Sequence, residues 1–139
     1  MIGVGLCWLA APSIASAELY KGRTSQDRRA VVRAERQGPP ATVKIRWQAP
    51  CARPRFIFRS ETGFRRPFDS VSGDSIEDTG TYRERLSGTR ATISVRLVAR
   101  RTAKGKWRGT FRARVVVRRN GRVIDRCRMA RATRWGASL

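Results

Sequence analysis

The sequence predicts an all-β domain, an antiparallel β-sandwich or barrel of about seven to nine short strands with one disulfide, the sandwich being favoured. Apolar and polar residues alternate with period 2 through most of the chain, and turns containing Gly or Asn separate the alternating segments. No segment has the apolar spacing of a helix. With 139 residues the chain is long enough for one hydrophobic core, and therefore for one domain.

The N-terminal segment has the pattern of an export signal. Residues 1–17 carry no charged side chain, are apolar from Ile2 to Ile14 and end in Ala-Ser-Ala, although the usual basic start is missing. The apolar run is shorter than the roughly 20 residues that span a bilayer. Lipidation at Cys7 is disfavoured, because cleavage there would leave almost no hydrophobic segment. We therefore predict a signal peptide over 1–17, a single domain over 18–139 without a transmembrane segment, and a secreted or cell-envelope location.

Cys51 and Cys127 are the only cysteines after the predicted signal. Two thiols in an oxidising compartment are expected to pair. Such a bridge closes a loop of about 76 residues and restricts the unfolded chain by roughly 4 kcal/mol.

The first half of the predicted domain contains a strand, a run of alternating phenylalanines and a polar connection. Residues 18–26 are expected to form a short polar lead-in. Over 43–47, Val, Ile and Trp alternate with Lys and Arg, which predicts a half-buried strand. Phe56 and Phe58 continue this pattern, and Phe64 and Phe68 follow around a turn-rich segment over 63–67. Residues 69–80, rich in Ser, Asp and Gly, predict a loop or short hairpin.

The second half has the clearest strand pattern. Apolar and polar residues alternate over 93–99 and again over 107–117, where arginines fill most of the polar positions. The Asn-Gly pair at 120–121 predicts a type I′ hairpin, because both of its positions require positive φ. Residues 122–128 are then the antiparallel return strand, and the segment 130–135 is a last strand.

The chain is strongly basic, with 31 Lys and Arg against 10 Asp and Glu and a net charge of +21. Arginine far outnumbers lysine. A GC-rich genome explains this ratio without any function, whereas the planar guanidinium suits phosphate and carboxylate recognition. Codon usage does not explain the net charge, because a soluble surface could hold more Asp and Glu.

Arginines on the polar side of the predicted strands form a candidate surface for anionic polymers. The candidates are Arg96, Arg108, Arg112, Arg114, Arg118, Arg126 and Arg128. Such a surface attracts polyanions by counterion release. The expected partners are anionic cell-envelope polymers or polysaccharide, with non-specific nucleic acid binding in vitro. The competing interpretation is that the charge serves solubility alone.

A non-enzymatic function is predicted, without a cofactor or a metal. The chain has no histidine, which removes the commonest general base and the commonest metal ligand. The alternative function is a partner-binding module, of inhibitor or adhesion type, that acts through loops or an exposed aromatic. The oligomeric state stays open.

Two acidic motifs have both a functional interpretation and an ordinary surface interpretation. Asp78-Thr79-Gly80 matches the catalytic triplet of aspartic proteases, but that chemistry needs two such aspartates, and here the triplet lies in a polar segment. A solvated turn is the preferred interpretation. The acidic residues could also hold calcium, although the spacing of an EF-hand is absent. This acidic group consists of Asp69, Asp74, Glu77, Asp78 and Glu84.

Trp47, Trp107 and Trp135 are candidate stacking platforms for sugars or bases. Trp47 and Trp107 share the apolar phase of their strands, which favours core packing. Trp135, near the end of the chain, is predicted to be more open.

Four segments of the sequence carry a resemblance. They are Tyr-Lys-Gly-Arg-Thr-Ser-Gln at 20–26, Ile-Arg-Trp-Gln-Ala-Pro-Cys at 45–51, Trp-Arg-Gly-Thr-Phe at 107–111, and Cys127 followed by Arg-Trp at 134–135. They resemble uncharacterised small secreted β-rich proteins of GC-rich actinobacteria. In that group the chain closes with Cys-x-Thr-Gly, where this one has Met129-Ala130. The resemblance implies export, a disulfide and β architecture, and it implies no activity and no functional residues.

Overall fold

The computed structural model describes residues 17–139, which form ten β-strands and no helix. The strands are β1 (Glu18–Thr24), β2 (Arg29–Ala34), β3 (Thr42–Pro50), β4 (Ile57–Arg65), β5 (Ser70–Ser72), β6 (Ser75–Leu86), β7 (Thr89–Arg101), β8 (Trp107–Arg119), β9 (Arg122–Arg128) and β10 (Thr133–Ser138). Every strand pairing is antiparallel. The predicted all-β antiparallel class is therefore confirmed, with ten strands instead of about seven to nine.

The predicted signal peptide lies, apart from Ala17, outside the described residues. Across the described range, no helix has the length and apolar character needed to cross a membrane.

The strands form one continuous sheet in the order β4-β3-β2-β1-β10-β8-β7-β6-β5. β10 pairs with the first half of β8 and β9 with its second half, while β7 pairs along the other edge of β8. The sheet coils so that β3 and β4 face β8. The ring of Phe111 lies 5.8 Å from that of Trp47 and 6.2 Å from that of Phe64, centroid to centroid. A single sheet thus packs against itself around one core.

Backbone hydrogen bonds do not join the two ends of the sheet. Other contacts connect the parts of the sheet that face each other. The predicted Cys51–Cys127 disulfide is present and ties the segment after β3 to β9. Side chains of β4 and β6 also meet across an open seam. There the hydroxyl oxygens of Thr62 and Tyr82 are 2.7 Å apart, and Trp47 Nε1 donates to Thr62 Oγ1 at 2.9 Å.

All three tryptophans singled out in the sequence are buried. Trp47 is 1%, Trp107 0% and Trp135 4% exposed. The prediction that Trp135 is more open is wrong, because its register opposite Gly109 of β8 directs it into the core. A side chain this buried cannot stack on a sugar or a base, so none of the three is a binding platform.

The predicted polar lead-in over 18–26 is wrong, because Glu18–Thr24 forms β1, a central strand between β2 and β10. The inward positions of β1 include Gly22, which supplies no apolar side chain to mark the strand. A Cβ atom at Gly22 would collide with the carbonyl oxygen of Gly136 on β10. Close approach of the two strands therefore requires the same glycine that conceals the strand in the sequence.

The predicted loop or hairpin over 69–80 is correct only in part. β5 and the start of β6 form a hairpin, but β6 continues to Leu86 as a long strand. Its inward positions include Tyr82 and Glu84, which face β4 across the seam. Glu84 accepts a hydrogen bond from Ser60 Oγ at 2.6 Å. Polar partners across the seam explain why β6 lacks the apolar alternation of a strand.

Candidate anion-binding surface

Arginines cover the outward side of β6, β7, β8 and β9, and we call this surface the arginine face. It consists of Arg83, Arg85, Arg90, Arg96, Arg100, Arg108, Arg112, Arg114, Arg118, Arg126 and Arg128, all of them exposed. The face is continuous, because these four strands are hydrogen-bonded neighbours.

Burial of the alternate residues fixes the outward direction of these arginines. Along β8, Phe111, Ala113 and Val115 are buried, while Arg112 and Arg114 between them are exposed. A shift of one residue in register would turn the arginines into the core and the apolar residues into water. The hydrophobic core therefore positions the charged surface.

The strand register places arginines directly opposite one another. The opposing pairs are Arg85–Arg90, Arg90–Arg118, Arg96–Arg112, Arg100–Arg108 and Arg114–Arg128. Directly opposite residues on an antiparallel pair have Cβ atoms about 4.5–5.5 Å apart, and like charges at that distance are destabilising. The face thus holds repulsion that a bound anion would relieve.

Carboxylates compensate little of this charge. Glu77 pairs with Arg96 at 3.4 Å, and it is the one acid found in an ion pair with the face among residues 17–139. Away from the face, three surface acids pair with arginines. There the ion pairs are Arg23–Asp27 at 2.9 Å, Arg36–Glu18 at 3.8 Å and Arg46–Glu61 at 2.9 Å. Ten of the eleven arginines of the face therefore have no carboxylate partner among residues 17–139.

The structure brings all the sequence-predicted arginines together on this face and adds four. Arg90 and Arg100 were missed although they follow the alternation of β7, so a longer reading of that pattern would have found them. Arg83 and Arg85 could not be found in this way, because β6 carries no apolar alternation to define its outward side.

The acidic residues of the 69–84 segment do not converge on one point. Asp74 accepts a hydrogen bond from the backbone N–H of Gly38 at 3.0 Å, whereas Glu84 is bound by Ser60 at the seam. The other three are held by the arginine face or within the β5–β6 hairpin. These contacts leave no shared calcium pocket among the five.

One trio of potential metal ligands lies close together in the described part of the chain, namely Cys51, Asp125 and Cys127. The two sulfurs are joined in the disulfide, so they are not thiolate ligands. Asp125 Oδ1 accepts hydrogen bonds from the backbone N–H groups of Arg53 at 3.2 Å and Arg126 at 2.9 Å. The trio is a structural junction in this oxidised form.

The Asp78-Thr79-Gly80 triplet fastens the β5–β6 hairpin. Asp78 accepts a hydrogen bond from the backbone N–H of Asp69 at 3.1 Å, and Asp69 accepts from the backbone N–H of Thr79 at 3.0 Å and from its hydroxyl. Burial raises the pKa of Asp78, and the nearby carboxylate of Asp69 adds to this. The hydrogen bonds from Thr79 lower the pKa of Asp69. The two carboxyl groups belong to one hairpin and not to two matching triplets.

These opposite pKa shifts predict opposite pH effects for two substitutions. The raised pKa of Asp78 means that its contribution to stability falls as the pH rises above about 3.9, the ordinary aspartate value. The free energy of unfolding of Asp78→Asn, relative to that of the wild type, should therefore be higher at neutral pH than at pH about 3. Asp69→Asn should do the reverse, because a lowered pKa gives stability that is lost on acidification. Urea unfolding of both variants at the two pH values tests this, and equal effects at both would contradict it.

An exposed aromatic lies on the loop that follows Cys51. Phe56 is 56% exposed and is adjacent to Ile57, which is also exposed. The guanidinium of Arg53 lies 5.5 Å from the centroid of the Phe56 ring. This loop is anchored at the disulfide and presents the apolar side chain that a protein partner would require.

No protein-family model matches the chain, and neither does any characterised protein or any solved structure with which it was compared.

Proposed function

We propose that the chain is an exported, non-enzymatic domain that binds anionic polymers of the cell envelope or acidic polysaccharide through the arginine face. The observation that carries this proposal is the row of opposing arginine pairs with a single acidic partner. Repulsion within such a row lowers the stability of the free protein. A polyanion bound along the row would restore this stability.

The distribution of the acids supports binding over solubility. A surface selected for solubility alone intersperses both signs of charge. Here β7 and β8 contain no acid, and the one acid of β9, Asp125, binds backbone N–H groups. The other acids lie on β1–β6 or in the loops between them, and one of these, Glu77, pairs with Arg96. Codon usage accounts for arginine in place of lysine, but it does not account for where the carboxylates lie.

The repetitive arrangement favours a repeating ligand over a base sequence. Arginines along one strand recur at about 6.8 Å where they are two residues apart, and neighbouring strands lie about 4.8 Å apart. A polymer with regularly spaced charges can contact several of them at once. Nucleic acid would bind through its phosphates and without sequence preference.

Salt-dependent retention on heparin tests the proposal. The protein should be retained at low salt and released as the salt rises, because binding depends on counterion release. The variant Arg112→Thr/Arg114→Thr/Arg128→Thr should elute earlier. Its slope of log affinity against log salt should be smaller by about two to three, roughly one for each lost contact.

A matched control removes the same charge from the opposite surface. Arg29→Thr/Arg33→Thr/Arg65→Thr substitutes three exposed arginines on β2 and β4. This control should elute close to the wild type. Failure of the wild type to bind at low salt, or equal losses in the two variants, would contradict binding through the arginine face.

A second candidate function rests on Phe56. Its exposure beside Ile57 supports a partner-binding module that acts through the loop after Cys51. Affinity for such a partner should persist at high salt and should be lost in Phe56→Ser. That behaviour separates this function from polymer binding, which high salt abolishes.

A further inference from the structure

The arginine face is concave at one end. A groove of about 870 Å³ lies there between the β6–β7 and β8–β9 hairpins. Arg85, Arg90 and Arg118 stand in one row across β6, β7 and β8, since each is directly opposite the next. Arg83, two residues before Arg85 on the same side of β6, also lines the groove.

The groove is positive and without an acid. No carboxylate is among its lining residues, and within residues 17–139 none of its four arginines takes part in an ion pair. Arg118 Nη1 lies 3.4 Å from the Thr92 hydroxyl. Asn120, in the type I′ turn, adds an amide to the lining. Guanidinium, hydroxyl and amide donors therefore surround one space.

The donor set fits a tetrahedral, doubly charged oxyanion. Guanidinium groups bind phosphate oxygens through two parallel N–H···O bonds. A phosphomonoester carries a charge of about −1.5 to −2 near neutral pH and has three strong acceptor oxygens. A carboxylate or a sulfate ester carries one charge and would leave more of the four guanidinium groups unneutralised.

We propose that this groove is a discrete binding site for a phosphomonoester group, carried by a phosphorylated sugar or a lipid headgroup. Arg85, Arg90 and Arg118 hold the phosphate, and Arg83 adds a fourth cation beside them. The site goes beyond polymer binding and does not depend on it. A single phosphate group occupies the groove, whereas a polymer would extend along the whole face.

Isothermal titration with two isosteric probes tests the site. Phenyl phosphate is a dianion at pH about 8, above its second pKa of about 6, whereas phenyl sulfate is a monoanion at any pH used. At about 0.15 M salt, where weak surface attraction is screened, phenyl phosphate should bind with a stoichiometry of one. It should bind at least about tenfold more tightly than phenyl sulfate, and the preference should shrink at pH about 5.

Two double variants separate the groove from the rest of the face. Arg85→Thr/Arg90→Thr should abolish phenyl phosphate binding. Arg108→Thr/Arg112→Thr, at the other end of the face, should keep it while weakening retention on heparin. Both variants change exposed residues, and their circular dichroism and melting temperature should confirm that they fold. In the wild-type protein, failure to bind heparin together with phenyl phosphate binding would contradict polymer binding alone, and the reverse result would contradict the groove alone.

Vesicles distinguish the two sources of the phosphate. Phosphatidic acid has a phosphomonoester headgroup, whereas phosphatidylglycerol has a phosphodiester. Preference for phosphatidic acid at equal surface charge, together with phenyl phosphate binding, assigns the group to a lipid. Phenyl phosphate binding without this preference assigns it to a soluble ligand. Equal affinity for phenyl phosphate and phenyl sulfate, or phenyl phosphate binding that survives Arg85→Thr/Arg90→Thr, would overturn the site.

Discussion

Removal of the disulfide by Cys51→Ala/Cys127→Ala is expected to lower the free energy of unfolding by about 4 kcal/mol. The bridge closes a loop with a sequence separation of 76 residues. It also fastens the segment after β3 to β9 at a place where the described structure has one isolated bridge instead of a ladder. Mutual repulsion of the charges already weakens the folded state, so the stability that remains after this loss should be smallest at low salt.

Urea unfolding at two salt concentrations measures this effect. Wild-type protein reduced under the same conditions is the matched comparison, because it lacks the cross-link but keeps both sulfur atoms. The variant and the reduced protein should lose similar stability. A loss below about 1 kcal/mol in both would show that the core holds β3 and β9 together without the bridge.

Arg101→Ala is expected to destabilise the domain by about 3 kcal/mol, because it removes a buried cation that several groups share. The Arg101 side chain is 9% exposed, and its guanidinium carbon lies 4.6 Å from the ring centroid of Trp107. Its Nη2 donates to the carbonyl oxygen of Glu35 at 2.6 Å, and its Nε lies 3.8 Å from Asp74 Oδ1. Alanine would leave the carbonyl oxygens of Glu35 and Gly38 without this donor and one face of the Trp107 indole without a partner.

Arg100 provides a control one residue away on the opposite face of β7. It is exposed and lies opposite Arg108, so Arg100→Ala should change stability by no more than about 0.5 kcal/mol. Arg101→Lys should fall between the two, because an ammonium keeps the charge but cannot reproduce the planar fork. Thermal unfolding of the three variants tests this order. Equal effects of Arg100→Ala and Arg101→Ala would contradict a structural role for Arg101.

The elements that could be predicted from the sequence are those with an apolar inner face. β8 alternates buried and exposed residues along most of its length, and the Asn120-Gly121 turn has positive φ at both residues. Cys127, in the predicted disulfide, is buried at 1% exposure. In these segments local pattern and tertiary packing agree.

The elements that could not be predicted have polar side chains or a glycine on their inner face. Gly22 removes a side chain from β1 to let β10 approach, and Tyr82 and Glu84 make β6 polar because they bind β4 across the seam. Arg101 is the clearest example. This arginine at the end of β7 points inward, although its charge alone predicts an outward position. In each case a long-range contact explains the local exception.

The candidate site was partly predictable for the same reason. Alternation along β8 is enough to place Arg112 and Arg114 on one side, but it does not reveal which strand lies beside them. The pairing of Arg114 with Arg128, and the groove formed by two hairpins, depend on register and on strand order. A sequence pattern gives the side of a strand, and only the fold gives its neighbours.

Arginine footprinting tests the central claim most directly. Phenylglyoxal modification of the wild-type protein, with and without a heparin oligosaccharide at low salt, can be read residue by residue by mass spectrometry. Binding through the arginine face predicts protection of Arg112, Arg114 and Arg128, with Arg33 and Arg65 on the opposite surface modified as before. Uniform protection of all five, or no protection at all, would contradict the proposal that this face is the binding surface.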